Sequence, residues 1–116
     1  MTKLLIYIVE NQKFDVEMAI DAITAMNGTT KARRGNFIGA IFECAYRYAG
    51  VNTVIRISED AETITAEGLH PSTLSFAIEL QRALSVDLNA TDMEYSFNVA
   101  LRDFQTLAQL EQATID

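Results

Sequence analysis

The chain has 116 residues, 49% of them hydrophobic and 22% charged, with a single cysteine. That is one domain, residues 1–116, large enough to bury a core and unable to form an intrachain disulfide, which suits a reducing cytoplasm. The net charge of −7 is uneven: residues 1–58 hold seven Lys/Arg against five Asp/Glu, and residues 59–116 hold two against eleven; such an acidic half repels phosphate backbones and anionic lipid, and argues against a nucleic-acid or membrane-surface protein.

Leu4–Val9 is continuously apolar and rich in β-branched residues, which predicts a strand covered on both faces near the sheet centre. At six residues, with no small-residue cleavage site after it, the run is too short for a signal peptide or a membrane span. Asp15 is the expected N-cap of a helix whose stripe is Val16, Ala19, Ile20, Ile23 and Met26, ending at Asn27-Gly28. A second helix is expected from Gly35 or Asn36 to Ala49. Phe37, Ile38, Ala40, Ile41, Phe42, Cys44, Ala45 and Tyr48 leave little of it polar, so it is buried or forms an oligomer interface. Gly39 inside it implies the close approach of a neighbouring element.

A hairpin follows, Thr53–Ser58 and Thr63–Glu67, joined by the acidic turn Glu59-Asp60-Ala61-Glu62. A helix opens at His70-Pro71, with Leu74, Ala77, Ile78 and Leu84 inward and Ser72, Ser75, Glu79 and Arg82 outward. Residues 85–91 read as a polar connection. Met93–Leu101 alternates strictly, Met93, Tyr95, Phe97, Val99 and Leu101 against Glu94, Ser96, Asn98 and Ala100, and predicts a strand. Thr106-Leu107-Ala108-Gln109 is a capping box opening a last helix that carries Leu107, Leu110 and Ile115. The expected order is β-α-α-β-β-α-β-α, an α+β or mixed α/β fold with a sheet of about four strands packed with helices.

Catalytic and metal signatures are sparse. The one histidine, His70, has no second His or Cys at zinc spacing, and Cys44 sits in an apolar stripe typical of inert core thiols. No metal site and no cofactor is expected, and an enzyme built on His70 or Cys44 is the least favoured reading. Lys31, Arg33 and Arg34, placed before the expected second helix, form a candidate anion site, with a solvated loop as the plainer alternative. The carboxylates Glu59, Asp60, Glu62, Glu67, Asp87, Asp92 and Glu94 lack metal-site order. They are a candidate partner-binding face, provided that the hairpin turn and the Asp87–Glu94 stretch meet in space. Surface solubility is the alternative for each of them singly.

The stretch Gly68–Leu101, GLHPSTLSFAIELQRALSVDLNATDMEYSFNVAL, resembles small immunity proteins of contact-dependent growth-inhibition and related polymorphic toxin systems. It covers about a third of the chain, and no functional residue carries over. The resemblance implies a cytoplasmic, non-catalytic inhibitor of one cognate toxin domain, often a basic nuclease, whose active site an acidic surface would occlude. Tyr46 and Tyr95 are the expected apolar anchors. A small homo-oligomeric regulatory or anion-binding domain is the second reading, resting on the apolar helix and the basic cluster.

Overall fold

A computed structural model describes residues 3–37, 39–68, 70–94 and 96–114. Seven strands form one antiparallel sheet: β1 (Lys3–Ile8), β2 (Thr29–Phe37), β3 (Ala40–Tyr48), β4 (Val51–Ser58), β5 (Ile64–Glu67), β6 (Leu88–Asp92) and β7 (Asn98–Ala100). Three helices accompany them, α1 (Val16–Thr24), α2 (Pro71–Ala83) and α3 (Leu107–Thr114). The strand order is β2-β3-β4-β5-β1-β6-β7. The class is mixed, as expected, but the sheet has seven strands rather than about four.

The main correction lies at residues 29–48. The expected second helix is absent, and β2 and β3 form a hairpin in its place. Ala40, Phe42, Cys44 and Tyr46 are buried on one face of β3, while Ile41, Glu43 and Ala45 are half-buried on the other. Gly39 accordingly serves a turn at φ +75°, with open space where a Cβ would sit, and not a helix crossing. Ile38 lies outside the described residues. The all-apolar helix that suggested an oligomer interface is therefore not present. Ala49-Gly50 joins β3 to β4 with both residues at positive φ, as a two-residue I′ turn requires.

β1 lies between β5 and β6, but it is not covered on both faces. Leu4, Ile6 and Ile8 are buried, and Lys3, Leu5 and Tyr7 are half-buried. The same alternation runs through β4 and β5, so the helices cover one face of the sheet and the other stays open. α2 carries the chain from β5 across to β6, and Leu74, Phe76, Ala77, Ile78 and Leu80 are buried along it. Ser72, expected on the wet face, is fully buried, because α2 packs against the sheet on one side and α1 and α3 on others. Each buried Leu, Ile or Phe of this layer contributes about 1.5–3 kcal/mol.

Local signals fared well where they involved caps and turns. The Asp15 carboxylate accepts the Met18 N–H at 3.2 Å and starts α1. The Gln109 N–H bonds the Thr106 hydroxyl at 3.2 Å, completing the capping box of α3. The expected strand Met93–Leu101 shrinks to β7, and the expected connection before it supplies β6 instead. Ile115 lies outside the described residues. The outer strand β2 is broken by two register shifts, with Lys31 at φ +55°, which suits an edge that must not recruit another strand.

Candidate functional site

The register splits the seven expected carboxylates between the two ends of the sheet. Ile6 pairs with Ile64 and Ile8 with Leu88, so the β4–β5 turn and the start of β6 share one end. Lys3 pairs with Glu67 and Leu4 with Asp92, which places Glu67, Asp92 and Glu94 at the other. Glu59, Asp60, Glu62 and Asp87 therefore gather at one end, and the remaining three do not join them.

Two of the three outliers are occupied. Glu67 pairs with Arg56 at 3.4 Å, and Arg56 in turn pairs with Glu43 at 2.8 Å. Glu43 also takes Arg33, at 2.5 Å. These partners make a charge ladder across β2, β3, β4 and β5. Hydrogen bonds from Arg33 and then Arg56 hold the Glu43 carboxyl below the ordinary carboxylate range. Asp92 is buried and accepts the Ser96 N–H at 2.7 Å and the Ser96 hydroxyl. The Ser96 hydroxyl is the larger cause of its lowered pKa. Glu94 is exposed beyond that turn.

At the acidic end the geometry is firm. The Asp60 carboxylate accepts the Ser58 hydroxyl at 2.7 Å and the Glu62 N–H at 3.0 Å, and the Ser58 bond foremost lowers its pKa. Ala61, at φ +61°, is buried, and its carbonyl accepts the Phe14 N–H at 2.8 Å. The turn is thereby fastened to the segment that starts α1, leaving Glu59 and Glu62 exposed. The Val9 N–H bonds the Asp87 carbonyl at 3.1 Å, which ties the start of β6 to the end of β1. The Asp87 carboxylate lies 3.9 Å from Arg102, both well exposed.

At the same end of the sheet lies a hollow of about 140 Å³, lined by Ile8, Gln12, Lys13, Phe14, Asp15, Met18, Leu84, Ser85 and Val86, with Asp15 its one carboxylate and Lys13 its one cation. Met18 is 54% exposed and Val86 37%. The hollow is smaller than the roughly 300 Å³ at which small-molecule pockets begin, and suits one inserted side chain. Its sequence signal is faint: Met18 lies off the buried stripe of α1, and Val86 stands between the polar residues Ser85 and Asp87.

Other expected residues stand elsewhere. Lys31, Arg33 and Arg34 lie on β2 with no helix N-terminus behind them. Arg33 is bound to Glu43, and Arg34 is paired with Glu17. Tyr46 is no exposed anchor: it is 2% exposed, its ring meets Phe76 edge-on at 5.5 Å, and its hydroxyl contacts Ser75 and Glu79. Tyr95 lies outside the described residues. Cys44 faces the core, where burial pushes its thiol up to about 12 and keeps it protonated. His70 is exposed at the N-cap of α2. Among the described residues no group of three His, Cys, Asp or Glu is placed to hold a metal ion, and no helix is long and apolar enough to cross a membrane. Compared with known protein families, with curated proteins and with solved structures, the chain matches none.

Proposed function

We propose that the chain is a non-catalytic binding protein that docks a basic protein partner at the end of the sheet carrying Glu59, Asp60, Glu62 and Asp87. One observation carries this reading: a hollow with exposed Met18 and Val86 in its lining lies at the same end, where Val86 adjoins Asp87 and Phe14 is bonded to the acidic turn through Ala61. Protein interfaces combine an apolar centre that excludes water with a charged rim that guides encounter. An apolar anchor of the partner would fill the hollow, and its Lys and Arg side chains would meet Asp60, Glu62 and Asp87.

The resemblance of Gly68–Leu101 to immunity proteins supplies the partner class. That partner is a toxin domain, most simply a nuclease whose phosphate-binding cations the carboxylates would cover. The binding end is narrower than the full set of seven acids, because the register puts Glu67, Asp92 and Glu94 at the other end of the sheet.

Co-expression with the reading frames that neighbour this chain's gene tests the reading, a toxin domain among them being the expected partner. A complex that purifies at low salt and loosens as salt is raised is expected, since exposed charges are screened over about 8 Å at physiological ionic strength. No complex, or one indifferent to salt, would count against it.

A further inference from the structure

The chain has six arginines and an excess of carboxylates. Four arginines are ion-paired: Arg33 with Glu43, Arg34 with Glu17, Arg56 with Glu43 and Glu67, and Arg102 with Asp87. Arg47 and Arg82 form no ion pair among the described residues. Arg82 donates only to a neutral acceptor, the Gln105 carbonyl. These two line the same groove, of about 400 Å³, on the helical side of the sheet.

Four elements build the groove. Asn27 and Gly28, after α1, form one wall, and the end of β3 brings Arg47 and Tyr48. α2 contributes Ile78, Glu79 and Arg82, and Leu107 closes it from α3. Gly28 is required by proximity: a Cβ there would lie 2.3 Å from the Arg47 carbonyl oxygen, and the Arg47 N–H bonds the Gly28 carbonyl at 2.9 Å. The Arg47 backbone is therefore pinned while its side chain stays exposed. The Tyr46 hydroxyl is held by Ser75 and Glu79, which engages the one carboxylate of the groove. Tyr48 is 39% exposed beside it.

We propose that this groove binds a small organic anion, with a carboxylate or phosphate group meeting the guanidiniums of Arg47 and Arg82 and an apolar body against Tyr48, Ile78 and Leu107. A guanidinium presents a planar fork of donors that matches either oxyanion. The volume lies within the range of small-molecule sites, unlike the hollow at the acidic end. The site is independent of partner binding, because it stands on different residues and opposite charge.

The test is an amide-resolved NMR titration of the full chain with phenyl phosphate and, separately, phenylacetate. Inorganic phosphate is the control without an apolar body. Saturable shifts at Gly28, Arg47, Tyr48 and Leu107 are expected with one or both organic anions, and the tighter of the two identifies the oxyanion. Arg47→Gln, which removes no side-chain hydrogen bond or ion pair among the described residues, should weaken binding about tenfold or more. Lys31→Gln, which removes a cation outside the groove, should leave it unchanged. Three results overturn the proposal: no saturable shift up to about 10 mM of either probe, equal weakening by Arg47→Gln and Lys31→Gln, or inorganic phosphate reproducing the shifts at equal affinity, an adventitious ion only.

Discussion

The main-chain N–H of Phe14 donates to the carbonyl of Ala61 at 2.8 Å, across a separation of 47 positions in the chain. This bond fastens the acidic turn to the segment that starts α1, the helix that carries Met18. The Phe14 side chain is itself buried in the core. Phe14→Ala is expected to cost about 3–5 kcal/mol of stability, in the range for a large buried aromatic. Urea denaturation measures that loss. At temperatures where the variant stays folded, its affinity for the basic partner should also fall, because the turn loses its backing.

Tyr46→Phe isolates one hydroxyl. The edge-on contact with Phe76 survives, while Ser75 and Glu79 lose their partner. A loss of about 1–3 kcal/mol is expected, the range for leaving a half-buried polar group without a hydrogen bond. The wild-type residue also has a spectroscopic signature. Burial, then the Glu79 carboxylate, pushes its pKa up to about 12. Ultraviolet titration should show the Tyr46 phenol ionising at about pH 12. Because the folded pKa is the higher one, stability should decline only as pH rises past about 10.

Acid should weaken the fold through three carboxylates. Glu43, Asp60 and Asp92 all have folded pKa values below their ordinary ones, held there by Arg33 and Arg56, by Ser58, and by Ser96. Their stabilisation is complete above the unfolded value of about 4 and is lost as pH falls through the lowered folded values. Denaturation midpoints taken from pH 7 to pH 2.5, on the order of one reading per half unit, should fall steeply in the acid range. Glu43→Gln should flatten the part of that fall due to the ladder. A profile unchanged by Glu43→Gln would show that the ladder does not stabilise the fold.

Gly28→Ala tests the packing behind the groove. The added Cβ would meet main-chain oxygen rather than a movable side chain, so the β3 end or the α1 exit must shift. A loss of about 1–3 kcal/mol is expected, as for overpacking at a tight contact. Gly39→Ala makes a useful contrast, since its Cβ would enter open space and only the positive φ opposes it.

Much of the local grammar was legible, and the failures have physical causes. Asp15, the Thr106–Gln109 box and the β4–β5 hairpin depend on contacts between near neighbours, and these appear where their residues predict them. β3 was read as a helix because Ile41 and Ala45 occupy its open face, so the alternation was marked only by Glu43 and Arg47. The Ala49-Gly50 turn and the aromatic and β-branched content were the signals that pointed the other way. Met93–Leu101 failed for the opposite reason. Its alternation is regular, but Asp92 captures the Ser96 N–H and curls the chain into a turn first. β6, with the sequence LNATD, has little strand character of its own; pairing with β1 makes it a strand. The candidate site inherits the same limit. The acids were visible singly, but only the register of β1 with β5 and β6 tells which of them share an end.

Affinities of two charge-reversal variants for the partner test the central claim most directly. Glu59→Lys combined with Glu62→Lys reverses charge at the acidic end, and Glu94→Lys reverses an exposed charge at the opposite end. If the proposed basic partner is a toxin domain, calorimetric titration with that domain should show the double variant binding about a hundredfold or more weakly, with Glu94→Lys close to wild type. Equal affinities for the two variants, or a larger loss from Glu94→Lys, would contradict a binding surface at Glu59, Asp60, Glu62 and Asp87.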